Sequence, residues 1–270
     1  MGDSVSEPRF FSRKQIPELR DELWRWVVNE HPILSGLDKE EESLLRELTS
    51  RLVKRKQLIA LDGVEVTDET WLSVAVQACL PILHLGFRWY RDWGTLYLVP
   101  EEYEYSEDET DEAGVVHEVV DTVSGQTMPL GSVVLSVADV EASGWGDGYN
   151  VVIHEMAHVI DRQNGVIDGA PPLHRGMSLE TWTRVFTDAY GDLQGRVVGK
   201  APPRRGKRVP AYAGPIDAYA AEAPEEFFAV VTELFFENPG GLRGEYPDIY
   251  DQLMLFYRQD PLQRRGGAPR

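Results

Sequence analysis

Apolar residues recur along this chain with two different periods, and the change of period divides it. From Gln15 to Glu30, and again from Lys39 to Leu58, they return at the spacing of an amphipathic helix, with Leu44, Leu45, Leu48, Leu52 and Val53 gathered on one side of the second stretch. Thr70–Trp89 is apolar nearly throughout and reads as a buried helix bent or interrupted near Pro81, where the backbone has no N–H to give. The pattern then shortens. Thr95–Val99, Val115–Thr122 and Ser132–Val137 are brief β-branched and aromatic runs parted by Gly, Ser and acidic turns, and they predict strands of a small sheet.

Helical spacing returns at Asn150–Gly165, entered through Gly148 and an Asn150 cap and closed by Asn164-Gly165. Val151, Val152, Ile153, Met156, Ala157, Val159 and Ile160 surround this helix on most sides, so its polar residues are expected to be buried. Further helices are predicted at Leu179–Val197, at Pro224–Glu237 with proline in the first turn, and at Asp248–Arg258. The tail Arg264–Arg270 is expected to be disordered. Strands in one block with helices before and after predict an α+β fold. No repeat or long linker interrupts it, so residues 1–270 are expected to form one domain with an N-terminal helical extension over about residues 1–65.

Composition narrows the setting. At 270 residues, 42% of them hydrophobic, the chain can bury a sizeable core, yet no apolar run is long enough to span a bilayer. Met1–Lys14 is polar and charged, unlike a signal peptide, and Cys79 is the single cysteine, so the expected location is the cytoplasm. A net charge of −18 disfavours direct binding to nucleic acid, which needs a concentrated positive surface. Two segments depart from the average, acidic Glu101–Glu112 and basic Lys200–Arg208. Each is expected to be a solvated loop.

The chemistry lies in His154-Glu155-Met156-Ala157-His158. Residues four apart stack on one helical face, so both imidazoles can reach a single zinc ion while Glu155 serves as general base toward a water on it. An ordinary helix with two packed histidines would carry the same five residues, but burial of His154 and Glu155 is costly without compensation, and a divalent metal supplies it.

A catalytic zinc needs a third protein ligand. The helix opening at Pro224 offers Glu222, Glu225, Glu226 and Glu233. Glu226, Ala229, Val230 and Glu233 share one stripe, Glu222 lies before the proline, and Glu225 is turned about 100° away. Glu226 is therefore the expected ligand and Glu233 a supporting carboxylate. Asp161, three residues after His158, could accept the second N–H of a histidine or simply end the helix in solvent. Tyr219 could donate its phenol to an oxyanion or pack at the surface. His117 imitates half of the zinc pattern, but in a strand-like run residues four apart cannot copy helical geometry. His84 reads as a core histidine, His31 precedes a proline, and His174 is expected in a loop.

Several separated blocks resemble the Mlc titration factor A family of zinc-dependent peptidases: Gly148–Asp161, Ile216–Val230, Glu233–Phe236, Phe256–Gln263 and, earlier, Leu80–Gly86. The resemblance covers most of the chain from about Leu44 to Arg264. It implies a gluzincin-like site, with one zinc ion on His154, His158 and Glu226, Glu155 as general base and Tyr219 as a transition-state donor. It also implies a mixed zincin fold similar to the catalytic domain of anthrax lethal factor. Aminopeptidase-like activity on small substrates in the cytosol is implied too, as is binding of a transcriptional repressor in enterobacterial members.

Residues and resemblance together predict a zinc metallopeptidase acting on a peptide or protein substrate. The rival expectation is a regulatory protein that keeps zinc to hold its fold or to sequester a transcription factor. Glu155 argues against that rival, because a structural site needs no base. A zinc hydrolase of non-peptide amides would use the same residues.

Overall fold

The computed structural model describes residues 19–61, 63–100, 103–110, 116–123, 125–128, 131–197 and 214–266. Its first helix, α1 (Asp21–Glu30), buries Trp24 and Val27. The second, α2 (Lys39–Arg55), opens in a capping box: the Asp38 side chain accepts from the Glu40 and Glu41 amides at 2.8 Å, and Glu41 accepts from the Asp38 amide at 3.2 Å. Helical spacing predicted this element to continue to Leu58. It stops at Arg55 because Gln57–Ala60 forms strand β1, where pairing with a neighbouring strand overrides local propensity.

Helix α3 (Asp68–Cys79), capped by Thr67, ends just before Pro81, so the expected interruption there is a termination. Strands β2 (Thr95–Val99), β3 (Tyr103–Thr110), β4 (Val116–Val123), β5 (Gly125–Met128) and β6 (Ser132–Ser136) follow. The main sheet has the order β1-β2-β6-β5; β1, β2 and β6 run parallel and β5 is antiparallel on the edge. Strands β3 and β4 pair separately as an antiparallel ribbon. The acidic segment expected to be a solvated loop is thus mostly strand β3: its backbone groups find partners across the ribbon, which its charge did not reveal. His117 lies in β4, as its strand-like surroundings predicted.

Short α4 (Val137–Glu141) leads through a glycine-rich loop to α5 (Val151–Asp161), every residue of which is buried. Helix α5 packs against α3, against β5 and β6, and against the later helix α7. Helix α6 (Leu179–Val197) matches its predicted bounds. Four helices then open at prolines: α7 (Pro224–Glu237), α8 (Pro239–Glu245), α9 (Pro247–Tyr257) and α10 (Pro261–Gly266). Helix α8 was not foreseen, since Gly240 and Gly241 hide it; the Asn238 side chain caps it through the Gly241 amide.

Arg264 and Arg265, expected in a disordered tail, lie in α10 and are held. Arg264 donates to Gln259 and Glu41, and Arg265 donates to the Glu237 and Phe236 carbonyls at the end of α7. Those carbonyls have no partner within the helix, and a guanidinium satisfies them. Residues 267–270, the basic Lys200–Arg208 segment and the chain before Leu19 lie outside the described residues.

One contiguous cluster of buried apolar side chains joins the N-terminal helices, the sheet and the C-terminal helices. On α7, Phe227, Phe228, Val231, Leu234 and Phe235 are all buried. At about 1.5–3 kcal/mol for each large side chain, they can carry two buried carboxylates on the same helix, provided those are hydrogen-bonded. This mixed architecture fits an α+β metallopeptidase. None of the described helices is long and apolar enough to cross a membrane.

Candidate metal centre

Two helices distant in sequence build the site. The Asn150 side chain caps α5 by accepting from the Ile153 amide at 2.9 Å. The positive φ of 111° at Gly148 admits the loop close to α7, where an added Cβ would lie 3.2 Å from Leu234. One turn into α5, His154 and His158 share a face: their ring centroids are 4.8 Å apart and their Nε2 atoms 3.2 Å apart. Glu226, in the first turn of α7, brings Oε2 to 3.0 Å from His154 Nε2 and Oε1 to 3.5 Å from His158 Nε2. The three ligand atoms lie within 4.8 Å of one another, the only such group that could hold a metal ion among the described residues.

The protonation of His154 decides what this cluster can do. Its Nδ1 lies 2.6 Å from Glu233 Oε1, so Nδ1 carries the hydrogen and donates it. In the neutral ring Nε2 then bears a lone pair aimed at Glu226. An anionic oxygen therefore faces a lone pair at 3.0 Å, and that buried Oε2 has no hydrogen-bond partner. Acceptors crowded together out of water are unfavourable unless a cation lies between them. Two imidazoles and a carboxylate are the donor set that a first-row divalent metal prefers, so the residues fit such an ion.

Glu155, on the same turn, is 1% exposed. Tyr219 sits in a 3₁₀ turn, Ala218–Ala221, started by Asp217, whose carboxylate accepts from the Tyr219 amide at 3.0 Å. Its ring lies 6.2 Å from that of His154 at an angle of 37°. The structure therefore gathers His154, Glu155, His158, Tyr219, Glu226 and Glu233 in one place.

Asp161 departs from expectation. Its Oδ2 accepts from the Asp168 and Gly169 amides at 2.9 and 2.7 Å, while its Oδ1 and His158 Nδ1 are both buried without a hydrogen bond. It orients no histidine; it pins a loop, and burial pushes its carboxyl up to about 6 against the pull of those amides. Gly169 is where that loop meets α7, since a Cβ there would come within 2.6 Å of the Pro224 carbonyl oxygen. Helical spacing placed Asp161 on the ligand face but could not reveal two amides competing for it.

Sequence reasoning also missed the polar support behind His154. The Asn150 amide donates to Glu233 Oε2 at 2.7 Å, and its Nδ2 donates to Glu237 at 2.7 Å and to Gln77 at 2.8 Å. The i,i+4 spacing of Glu233 and Glu237 in an apolar helix was the available signal. Two other histidines have partners of their own: His84 pairs with Glu41 at 3.2 Å, and His174 meets the Phe256 carbonyl at 2.8 Å.

The profile of the glucose-regulated metallo-peptidases of family M90 matches residues 7–258. A protein named Mlc titration factor A from Klebsiella pneumoniae subsp. pneumoniae is 33% identical over 236 residues, covering 87% of this chain and 85% of its own. Its namesake from Escherichia coli strain 55989 is 31% identical over 255 residues, covering 89% and 93%. That from Yersinia enterocolitica is 34% identical over 242 residues, covering 89% and 86%.

Proposed function

The chain belongs to the glucose-regulated metallo-peptidase family M90, and on that premise we propose that it is a zinc-dependent, aminopeptidase-like peptidase of zincin-like fold. The observation carrying this reading is the orphaned Glu226 Oε2 opposite a His154 Nε2 whose lone pair is fixed by Glu233. A zinc ion held by His154, His158 and Glu226 would supply Lewis-acid activation of a water and of a peptide carbonyl.

The chain's own groups do the rest. The Glu155 carboxylate takes the proton of the attacking water and passes it to the leaving amine nitrogen. The Tyr219 hydroxyl donates to the oxygen on which negative charge develops. Glu233 keeps His154 in the tautomer that presents Nε2. Apolar neighbours on α5 and α7 exclude bulk water, which strengthens each of these interactions. A single buried free cysteine fits work in a reducing compartment such as the cytoplasm.

Replacing Glu155 by Gln tests the assignment. Zinc content and melting temperature are expected to stay at the parent's values, while peptide hydrolysis, followed with and without a chelator, falls about 10²–10⁴-fold. Near-normal hydrolysis by the variant would sink it. The relatives' name supports a second reading, in which the chain titrates a transcriptional repressor. Repressor capture that persists in Glu155→Gln would show binding to be separate from hydrolysis.

A further inference from the structure

Behind the metal ligands, a single residue grips two successive turns of α7. The backbone amide of Asn150 donates to Glu233, and its side-chain Nδ2 donates to Glu237, one turn further along the same helix. Its Oδ1 meanwhile caps α5 at Ile153. Asn150 and Glu237 are fully buried. The second oxygen of Glu237 accepts from the Gly146 amide at 2.6 Å, so the loop entering α5 is held against the end of α7 at two points. From above, Gln77 Oε1 accepts the other Asn150 hydrogen, and Gln77 Nε2 is left buried without a partner.

Two of the three metal donors come from α5 and one from α7. A slip of one helix along the other would move Glu226 relative to both histidines and Glu233 relative to His154. Apolar packing opposes such a slip without fixing the direction of any one donor, because it is non-directional. Directed hydrogen bonds in a buried site do not tolerate it.

We propose that Asn150, acting through Glu233 and Glu237, is a positioning residue that sets the register of α5 against α7 and thereby the geometry of the metal site. It touches neither metal nor substrate. The proposal rests on the reading of His154, His158 and Glu226 as metal ligands.

The orphaned Gln77 amide makes a specific test possible. In Asn150→Asp the cap acceptor survives, but both Nδ2 donations are lost and a carboxylate faces Glu237. Zinc affinity is expected to fall about 10- to 100-fold, with an altered visible spectrum of the cobalt-substituted protein. In the double variant Asn150→Asp/Glu237→Gln the polarity is reversed. The new glutamine donates to Asp while still accepting from Gly146, and Gln77 turns its free Nε2 toward Asp. Affinity and cobalt spectrum are expected to return to within about threefold of the parent.

Should Asn150→Asp fail to fold, Glu237→Gln alone conserves volume but can accept from only one of its two donors, and a fall of about three- to tenfold is expected. Folded variants that bind zinc as tightly as the parent, or a folded double variant that fails to recover, would overturn the proposal. A parent that binds no stoichiometric zinc would overturn the metal reading itself, and the positioning role with it.

Discussion

The two ends of the α5–α7 interface carry the same chemistry and treat it in opposite ways. At one end Glu226 faces two imidazoles with a buried oxygen unpartnered; at the other, Glu233 and Glu237 accept hydrogen bonds at both oxygens from His154, Asn150 and Gly146. All three carboxylates sit on one helix whose other residues are mostly apolar. Glu226 keeps 18% of its side chain exposed against 4% for Glu233, yet all three lie largely out of water, so the main difference lies in what compensates burial. A saturated carboxylate is a fastener, and an unsaturated one beside two imidazoles is a binding site. The contrast teaches that the supporting end must be complete for the other end to remain incomplete without collapsing.

The largest expected effect breaks the metal end. Glu226→Ala removes the third donor, so zinc, which should stabilise the parent by about 4 kcal/mol at a thousandfold excess over its dissociation constant, should leave the variant's melting temperature unchanged. Thermal scans with and without zinc check this; equal zinc-induced shifts in the two proteins would require another ligand.

A pH effect of intermediate size belongs to the supporting end. His31 is buried beside Gly144 and Gln77, with neither ring nitrogen hydrogen-bonded, and burial pushes it down to about 4 from its usual 6.5. At His31 the folded state therefore binds fewer protons than the unfolded chain between those values, and this group's contribution to stability falls as pH drops from 6.5 to 4, by an amount on the order of 3 kcal/mol. Denaturant titrations across this window should show stability falling more steeply with acid in the parent than in His31→Gln. Equal pH slopes in the two proteins would contradict the burial of a neutral ring.

The smallest effect sharpens the comparison. Glu233→Gln leaves one of two buried donors, the Asn150 amide or His154 Nδ1, without an acceptor, and should cost about 1–3 kcal/mol in the metal-free protein. Glu226→Ala should cost the metal-free protein less, because Oε2 has no hydrogen bond to lose and Oε1 lies 3.5 Å from His158 Nε2. If urea unfolding of the two metal-free variants ranks them the other way, the two ends are not as different as their hydrogen bonds indicate.

Much of this was legible in the residues. The caps and apolar surroundings of α5 gave its bounds, proline gave the start of α7, and the stripe of Glu226, Ala229, Val230 and Glu233 placed two carboxylates on one face. What the sequence hid depends on distant partners. Gln57–Ala60 continues a helical pattern and becomes a strand only because Thr95–Leu98 lies alongside. Tyr103–Thr110 looks like solvated charge until β4 pairs with it. Asp161 sits where a histidine partner should sit, yet the Asp168 and Gly169 amides reach it. Arg264 and Arg265 resemble a basic tail until α2 and α7 offer them acceptors.

The bond between His154 and Glu233 joins positions 79 residues apart. Closing so long a loop carries an entropic cost that must be met before the contact returns any gain, and long-range contacts of this kind form slowly. In the unfolded chain His154 and His158 are neighbours without Glu226 or Glu233, a two-donor site of low affinity. On the proposed reading, metal capture would follow assembly of α5 on α7, and the ion would act as a lock on a finished fold rather than a seed for it.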